Sequence, residues 1–182
     1  MSIDRTSSHE NTIRRFLEPA PLLLIISGPS GVGKDTVLDA MRAAGLAFHF
    51  VVTTTDRPPR PGEVDGVDYD FVTTEEFRRM IEADELLEHA DVYGQLKGVP
   101  KRQIQEALAS GRDVVMRLDV TGAATMRRRV VGVVGIFLMP PSLEALIGRL
   151  RNRRTDTPEQ IARRTAVALE ELKSADEFDY VV

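Results

Sequence analysis

The junction between "PLLLIIS" (21–27) and "GPSGVGKDT" (28–36) constrains this chain more than any other stretch. The first part is a continuous apolar run of strand length, as expected for a strand buried on both faces. The second has the form Gly28-x-x-x-x-Gly33-Lys34, and a helical pattern follows it. Glycines at that spacing let backbone N–H groups turn inward around an anion, and the helix N-terminus adds partial positive charge. Residues Gly28, Pro29, Ser30, Gly31, Val32, Gly33, Lys34, Asp35 and Thr36 therefore read as a loop for the phosphates of a nucleotide, with Lys34 able to neutralise β and γ phosphates, and the loop alone says no more than that. A plain glycine-rich turn would also explain the glycines, but not the buried strand before them and the helix after. Asp35 departs from the pattern, since many phosphate loops place a hydroxyl after the lysine. Its carboxylate can ligate a cation, or it can cap the helix while Thr36 supplies the hydroxyl one step later. A carboxylate beside a triphosphate costs Coulomb energy unless a metal lies between them.

Helical and strand patterns alternate along the rest of the chain. Helices are expected over 34–45, 73–85, 100–111, 121–130, 142–153 and 156–177, and strands over 48–55, 69–72, 113–119, 133–139 and 178–182. Thr73 or Thr74 is the expected cap of the second helix, and Asp156 or Thr157, followed by Pro158, that of the last. Such alternation implies an α/β fold, a mostly parallel sheet with helices on both faces. The 182 residues suit one domain with room for an inserted lobe, and residues 1–20 read as a flexible tail. A net charge of −4 gives no overall field for nucleic acid, and the absence of cysteine excludes disulfides and thiolate chemistry. The apolar runs are too short for a membrane span and the first twenty residues lack a secretion signal. A cytoplasmic protein, bound to neither membrane nor nucleic acid, is expected; a homo-oligomer stays open.

A second anion site is written in "TTTDRPPRPGEVDGVDYDF" (53–71). Arg57 and Arg60 sit three residues apart in a proline-stiffened segment, and arginine forks grip phosphate bidentately. Tyr69 can donate its phenol to the same anion. A bare charged run would read as a solvated face; here it follows a core strand.

At this point residues 21–182 resemble the guanylate kinase family, whose members transfer a phosphoryl group from ATP to GMP. The resemblance is carried by "GPSGVGK", the arginine-proline-tyrosine block, "LLEHADVYG", "LDVTG" and "RLRNRRTDTPEQIARR", in family order and spacing. It implies a phosphate-loop kinase with core 21–53 and 99–182, a GMP-binding lobe at 54–98 and a lid near 152–163. It further implies that Arg57, Arg60 and Tyr69 hold the phosphate of GMP or dGMP. Glu88 would face the guanine N1 and N2 donors, Thr53 its edge, and Asp119 the base and the metal–water network. Lys34, Arg153 and Arg164 would stabilise the transferring charge, with Mg²⁺ held mainly by ATP phosphates and water. Arg149, Arg151 and Arg154 read as a solvated face.

Four positions are off the family pattern. Asp35 is one. Asp56 replaces a threonine and places a negative charge beside Arg57. Lys97 stands where a second phosphate-binding tyrosine is usual, its ammonium still able to reach the anion, and Val99 where a serine or threonine meets guanine. One neutral bond fewer costs about 0.5–1.5 kcal/mol, so weaker GMP binding with retained activity is expected. Family members also continue past "DYVV" with an asparagine-containing turn and a final helix. Either the chain is truncated there or the sheet's last cover is missing. Two rival readings are a ribose 1,5-bisphosphate kinase, which shares "GKD" but not the full arginine block, and a non-catalytic phosphopeptide-binding module of the same fold. Such modules generally have damaged phosphate loops, whereas this chain keeps Lys34 and the lid arginines.

Overall fold

A computed structural model describes residues 20–92, 94–151 and 157–182. Residues 1–19 of the expected tail (1–20), Arg153, Arg154, Asp156 and the first part of the expected lid lie outside them. The strands are β1 (Leu23–Ser27), β2 (His49–Phe50), β3 (Thr54–Thr55), β4 (Asp70–Phe71), β5 (Leu86–Asp91), β6 (Leu96–Pro100), β7 (Val114–Arg117), β8 (Val133–Phe137) and β9 (Tyr180–Val181). The helices are α1 (Lys34–Ala43), α2 (Thr74–Glu82), α3 (Lys101–Ala109), α4 (Val120–Arg129), α5 (Leu143–Arg151) and α6 (Pro158–Leu172).

The larger sheet has the order β2-β7-β1-β8-β9, with every neighbouring pair parallel. β1 is its central strand, paired with β7 on one side and β8 on the other, which is why "LLIIS" carries no polar alternation. Successive side chains point to opposite faces. Leu23 and Ile25 join a cluster with Met116, Ile104 and Ala107 of α3, and Ala123 and Met126 of α4. Ile26 packs on the other face with Val115 and Leu38 of α1. Helices therefore cover both faces, as the alternating pattern implies.

The expected strand over 48–55 is two strands in two sheets. His49 and Phe50 pair with β7, whereas Thr54 and Thr55 pair with β4 and β6. Between them the Gln103 side chain stands in for a strand: its Oε1 accepts from the Val52 N–H at 2.9 Å and its Nε2 donates to the Val52 carbonyl at 3.0 Å. The smaller sheet has the order β4-β3-β6-β5 and is mixed, parallel only between β3 and β4. Its β5–β6 hairpin was not anticipated, and it places Glu88 on a strand opposite Val99.

Helix boundaries follow local chemistry. Thr73 caps α2 through a reciprocal pair: its hydroxyl accepts from the Glu76 N–H at 3.1 Å, and the Glu76 carboxylate accepts from the Thr73 N–H at 2.9 Å. Replacing Thr73 by Ala is expected to cost about 1 kcal/mol of stability, read as a lower denaturation midpoint at unchanged slope. Thr157 caps α6 in the same way with Gln160, and Pro158 opens the helix. The expected helix over 156–177 ends at Leu172, and a separate 3₁₀ turn spans Ala175–Glu177. Among the described residues, no helix is long and apolar enough to cross a membrane.

Candidate active site

The loop after β1 is shaped by backbone that other residues could not adopt. Gly28 has φ +134°, and a Cβ there would meet the Leu138 carbonyl oxygen at 2.6 Å. Gly33 has φ +108° and stands immediately before α1. Lys34, the first residue of α1, turns back over the loop and donates to the carbonyls of Gly28 (2.6 Å) and Pro29 (3.1 Å). Burial lowers the pKa of its ammonium to about 8, opposed by the nearby Glu171 carboxylate. Two residues the sequence reading did not assign to the site also hold this loop. Glu171 of α6 accepts from the Ser30 N–H at 2.9 Å, and burial raises its pKa. Arg149 of α5 donates to the Val32 carbonyl at 2.6 Å, so it is not merely a solvated charge.

The loop opens onto a cavity of about 660 Å³. Ser30 to Val37 form one wall, Glu88 and Lys97 reach it from the smaller sheet, Thr53, Arg60 and Tyr69 from the chain flanking β3 and β4, and Asp119 from just beyond β7. Arg149, Arg164 and Glu171 line it from α5 and α6, and Arg117 from the end of β7. The structure thus brings most of the sequence-derived candidates together in one space. Arg153 lies outside the described residues.

Arg57 is placed differently. It is buried, its fork is closed by Glu63 (Nη1 at 2.7 Å, Nη2 at 2.6 Å), and Nη1 also donates to the Pro58 carbonyl. It stacks behind Tyr69, with Cζ 4.7 Å from the ring centroid, and does not line the cavity. Arg60 does, and its N–H also donates to Glu63. Lys97 stands 5.8 Å from the centroid of the same tyrosine ring.

The other off-pattern residues have structural partners. Asp56 accepts from the Leu96 N–H at 2.7 Å and the Thr74 hydroxyl at 3.0 Å, tying β3 to β6 and α2. Val99 is fully buried in the larger apolar cluster and absent from the cavity wall. Asp35 is paired with Arg117. The signal for Arg117 was its place at the C-terminal end of a strand beside β1, where parallel sheets bind ligands. Nothing local marks Glu171.

Glu88 is 3% exposed, and burial raises its pKa to about 7, with the Asp119 charge adding to the shift. Its Oε1 has no hydrogen-bond partner among the described residues. A Cβ on Gly122 would come within 3.1 Å of that oxygen, so the glycine is what lets the carboxylate lie against α4. Asp119 caps α4 by accepting from the Gly122 N–H at 2.8 Å.

A parallel sheet with a glycine loop after its central strand, and a second set of cationic and acidic groups across one cavity, define a phosphate-loop kinase fold. The family model for guanylate kinase matches residues 21–182, and the chain belongs to that family. It is 53% identical over 166 residues to guanylate kinase 2, chloroplastic/mitochondrial, of Oryza sativa subsp. japonica, covering 90% of this chain and 58% of that one. It is 49% identical over 164 residues to a guanylate kinase of Gloeobacter violaceus, covering 90% and 80%. The crystal structure of guanylate kinase from Anaplasma phagocytophilum superposes with a TM-score of 0.70 at 32% identity, covering 90% of this chain and 76% of that one.

Proposed function

We propose that this chain transfers the γ-phosphoryl group of ATP to the phosphate of GMP or dGMP, giving ADP and GDP or dGDP. The observation that carries the reading is the single cavity shared by the phosphate loop and by Arg60, Tyr69 and Glu88. ATP phosphates take the loop N–H groups, and Lys34 turns from the Gly28 and Pro29 carbonyls onto them. Arg60 and Tyr69, backed by Arg57, orient the acceptor phosphate, with Lys97 adding charge. Glu88 accepts from the guanine N1 and N2 donors, with Thr53 and Asp119 near the base. Transfer needs spread positive charge more than covalent help, and Lys34 and the arginines of the lid region, Arg153 and Arg164, supply it. Closure of the lobe at 54–98 and the lid near 152–163 excludes water and limits wasted hydrolysis.

Among the described residues, no three acidic or histidine side chains converge into a metal cage. Mg²⁺ would arrive on the triphosphate with most of its waters and would supply neutralisation of phosphate charge. The proposal is of a cytoplasmic enzyme of purine nucleotide metabolism. Coupled ADP release with GMP, dGMP, AMP and ribose 1,5-bisphosphate in parallel tests it. Turnover is expected with GMP and dGMP and only background with the other two; background with GMP would sink the reading.

A further inference from the structure

One guanidinium joins the two halves of the cavity. Arg117 ends β7, beside Ile26 of the central strand, and its side chain is 16% exposed. Its Nη1 is paired with the carboxylate of Asp35, the residue after Lys34 in the donor loop. Its Nη2 donates to the Asp68 carbonyl at 3.2 Å, and its Cζ lies 4.4 Å from the centroid of the Tyr69 ring. Tyr69 is thus flanked by two arginines, Arg57 at 4.7 Å and Arg117 at 4.4 Å. Arg57 has its fork closed by Glu63 and lies off the cavity, whereas Arg117 lines it together with Arg60 and Tyr69. A guanidinium carries five N–H donors in a rigid fork, more than these two bonds use.

Building on the reading above, we propose that Arg117 is a further arginine on the acceptor phosphate, and that Asp35 is the positioning residue that holds it there. The off-pattern carboxylate of the donor loop then serves the acceptor. Arg117 is gripped at one corner by Asp35 and at its face by Tyr69, and its remaining donors meet the anion that Arg60 and Tyr69 also face. Ordering a long cationic side chain in advance removes much of the entropy cost of using it. The pairing also spares the incoming triphosphate an uncompensated negative charge beside Lys34.

The test is a pair of variants and their double. Asp35 is 66% exposed, so Asp35→Asn is isosteric and folds. The expected result is a rise of about tenfold in the GMP KM, and in the GMP dissociation constant measured without ATP, the change that loss of one charge-assisted bond brings. The ATP KM and the Mg²⁺ concentration for half-maximal rate should stay within twofold. Arg117→Met should give an equal or larger rise, Arg117→Lys should recover part of it, and adding Asp35→Asn to Arg117→Met should change nothing further. A rise in the ATP KM or in the Mg²⁺ requirement for Asp35→Asn, with GMP binding unmoved, overturns the proposal and makes Asp35 a donor-side residue. Additive effects of the two substitutions overturn it as well. Wild-type protein that neither binds GMP nor releases ADP with it overturns the kinase reading itself, an outcome separate from either.

Discussion

Lys34→Met is expected to lower kcat by about 10²–10³ while making the fold more resistant to unfolding at pH 7. The activity loss follows from the task proposed for the ammonium, which is to meet charge that spreads over the transferring phosphoryl group. The stability gain follows from what holding that charge ready costs. In the free protein burial lowers the pKa of Lys34 from 10.5 to about 8. A depressed lysine contributes stability that is complete above its unfolded pKa and is lost as pH falls through the folded one. At pH 7 the ammonium is charged in both states and the burial penalty is present in full. Methionine removes it, offset by the two carbonyls of Gly28 and Pro29 that lose their donor, and the net gain is about 1 kcal/mol. The pH dependence is the cleaner signature: wild-type stability should rise between about pH 8 and 10.5, and that rise should be missing from the variant. Denaturant titrations across that window check it. A variant that keeps kcat within tenfold, or one with the same pH profile of stability, would contradict this account of Lys34.

The parts of the fold readable in advance are those set by neighbours in the chain. The run 22–27, the glycines after it and the periodicity of 34–45 each carry their own structural instruction, and β1, the loop and α1 followed. The β5–β6 hairpin carried none. Val92 and Gln95 close it by each donating its N–H to the other's carbonyl, but "VYGQ" lacks the Asn-Gly or Asp-Gly pair that marks such a turn in sequence, and β6 is defined as much by β3, some forty residues earlier, as by β5. The break within 48–55 has the same origin. The composition there suits one strand, and only the distant Gln103 amide shows where the chain changes sheets.

The site divides along similar lines. Residue type and spacing mark Arg57 and Arg60 as anion ligands, but spacing cannot say whether a fork meets a phosphate or Glu63, six residues on. Asp35 looked awkward because its partner is 82 residues away, on a strand that only the sheet order brings alongside. Glu171 lies 141 residues from the Ser30 N–H it accepts from. An acid in the last turn of an amphipathic helix offers no reason to look for it there.

Glu88→Gln is expected to lower kcat/KM for GMP by about 10²–10³ and to stabilise the protein above pH 7 by about 2 kcal/mol. The carboxylate is held on β5 with burial raising its pKa from 4.5 to about 7, and with Oε1 unpartnered among the described residues. A glutamate whose folded pKa is raised contributes stability that is complete below its unfolded pKa and is lost as pH rises through the folded one. Wild-type stability should therefore fall between about pH 4.5 and 7, and the glutamine variant should lack that fall. Guanine offers two N–H donors, which an ionised carboxylate accepts and which the NH₂ of glutamine opposes. Only the ionised form serves, so wild-type kcat/KM for GMP should drop as pH falls below about 7. For ATP the limb lies on the other side, because the protonated form of Lys34 serves and is lost above about pH 8. The two limbs belong to different substrates, so varying GMP at saturating ATP should reveal the acidic one and the reverse experiment the basic one. In Glu88→Gln the acidic limb should vanish while the basic limb remains. If the acidic limb persists in that variant, Glu88 is not the group whose ionisation admits the acceptor.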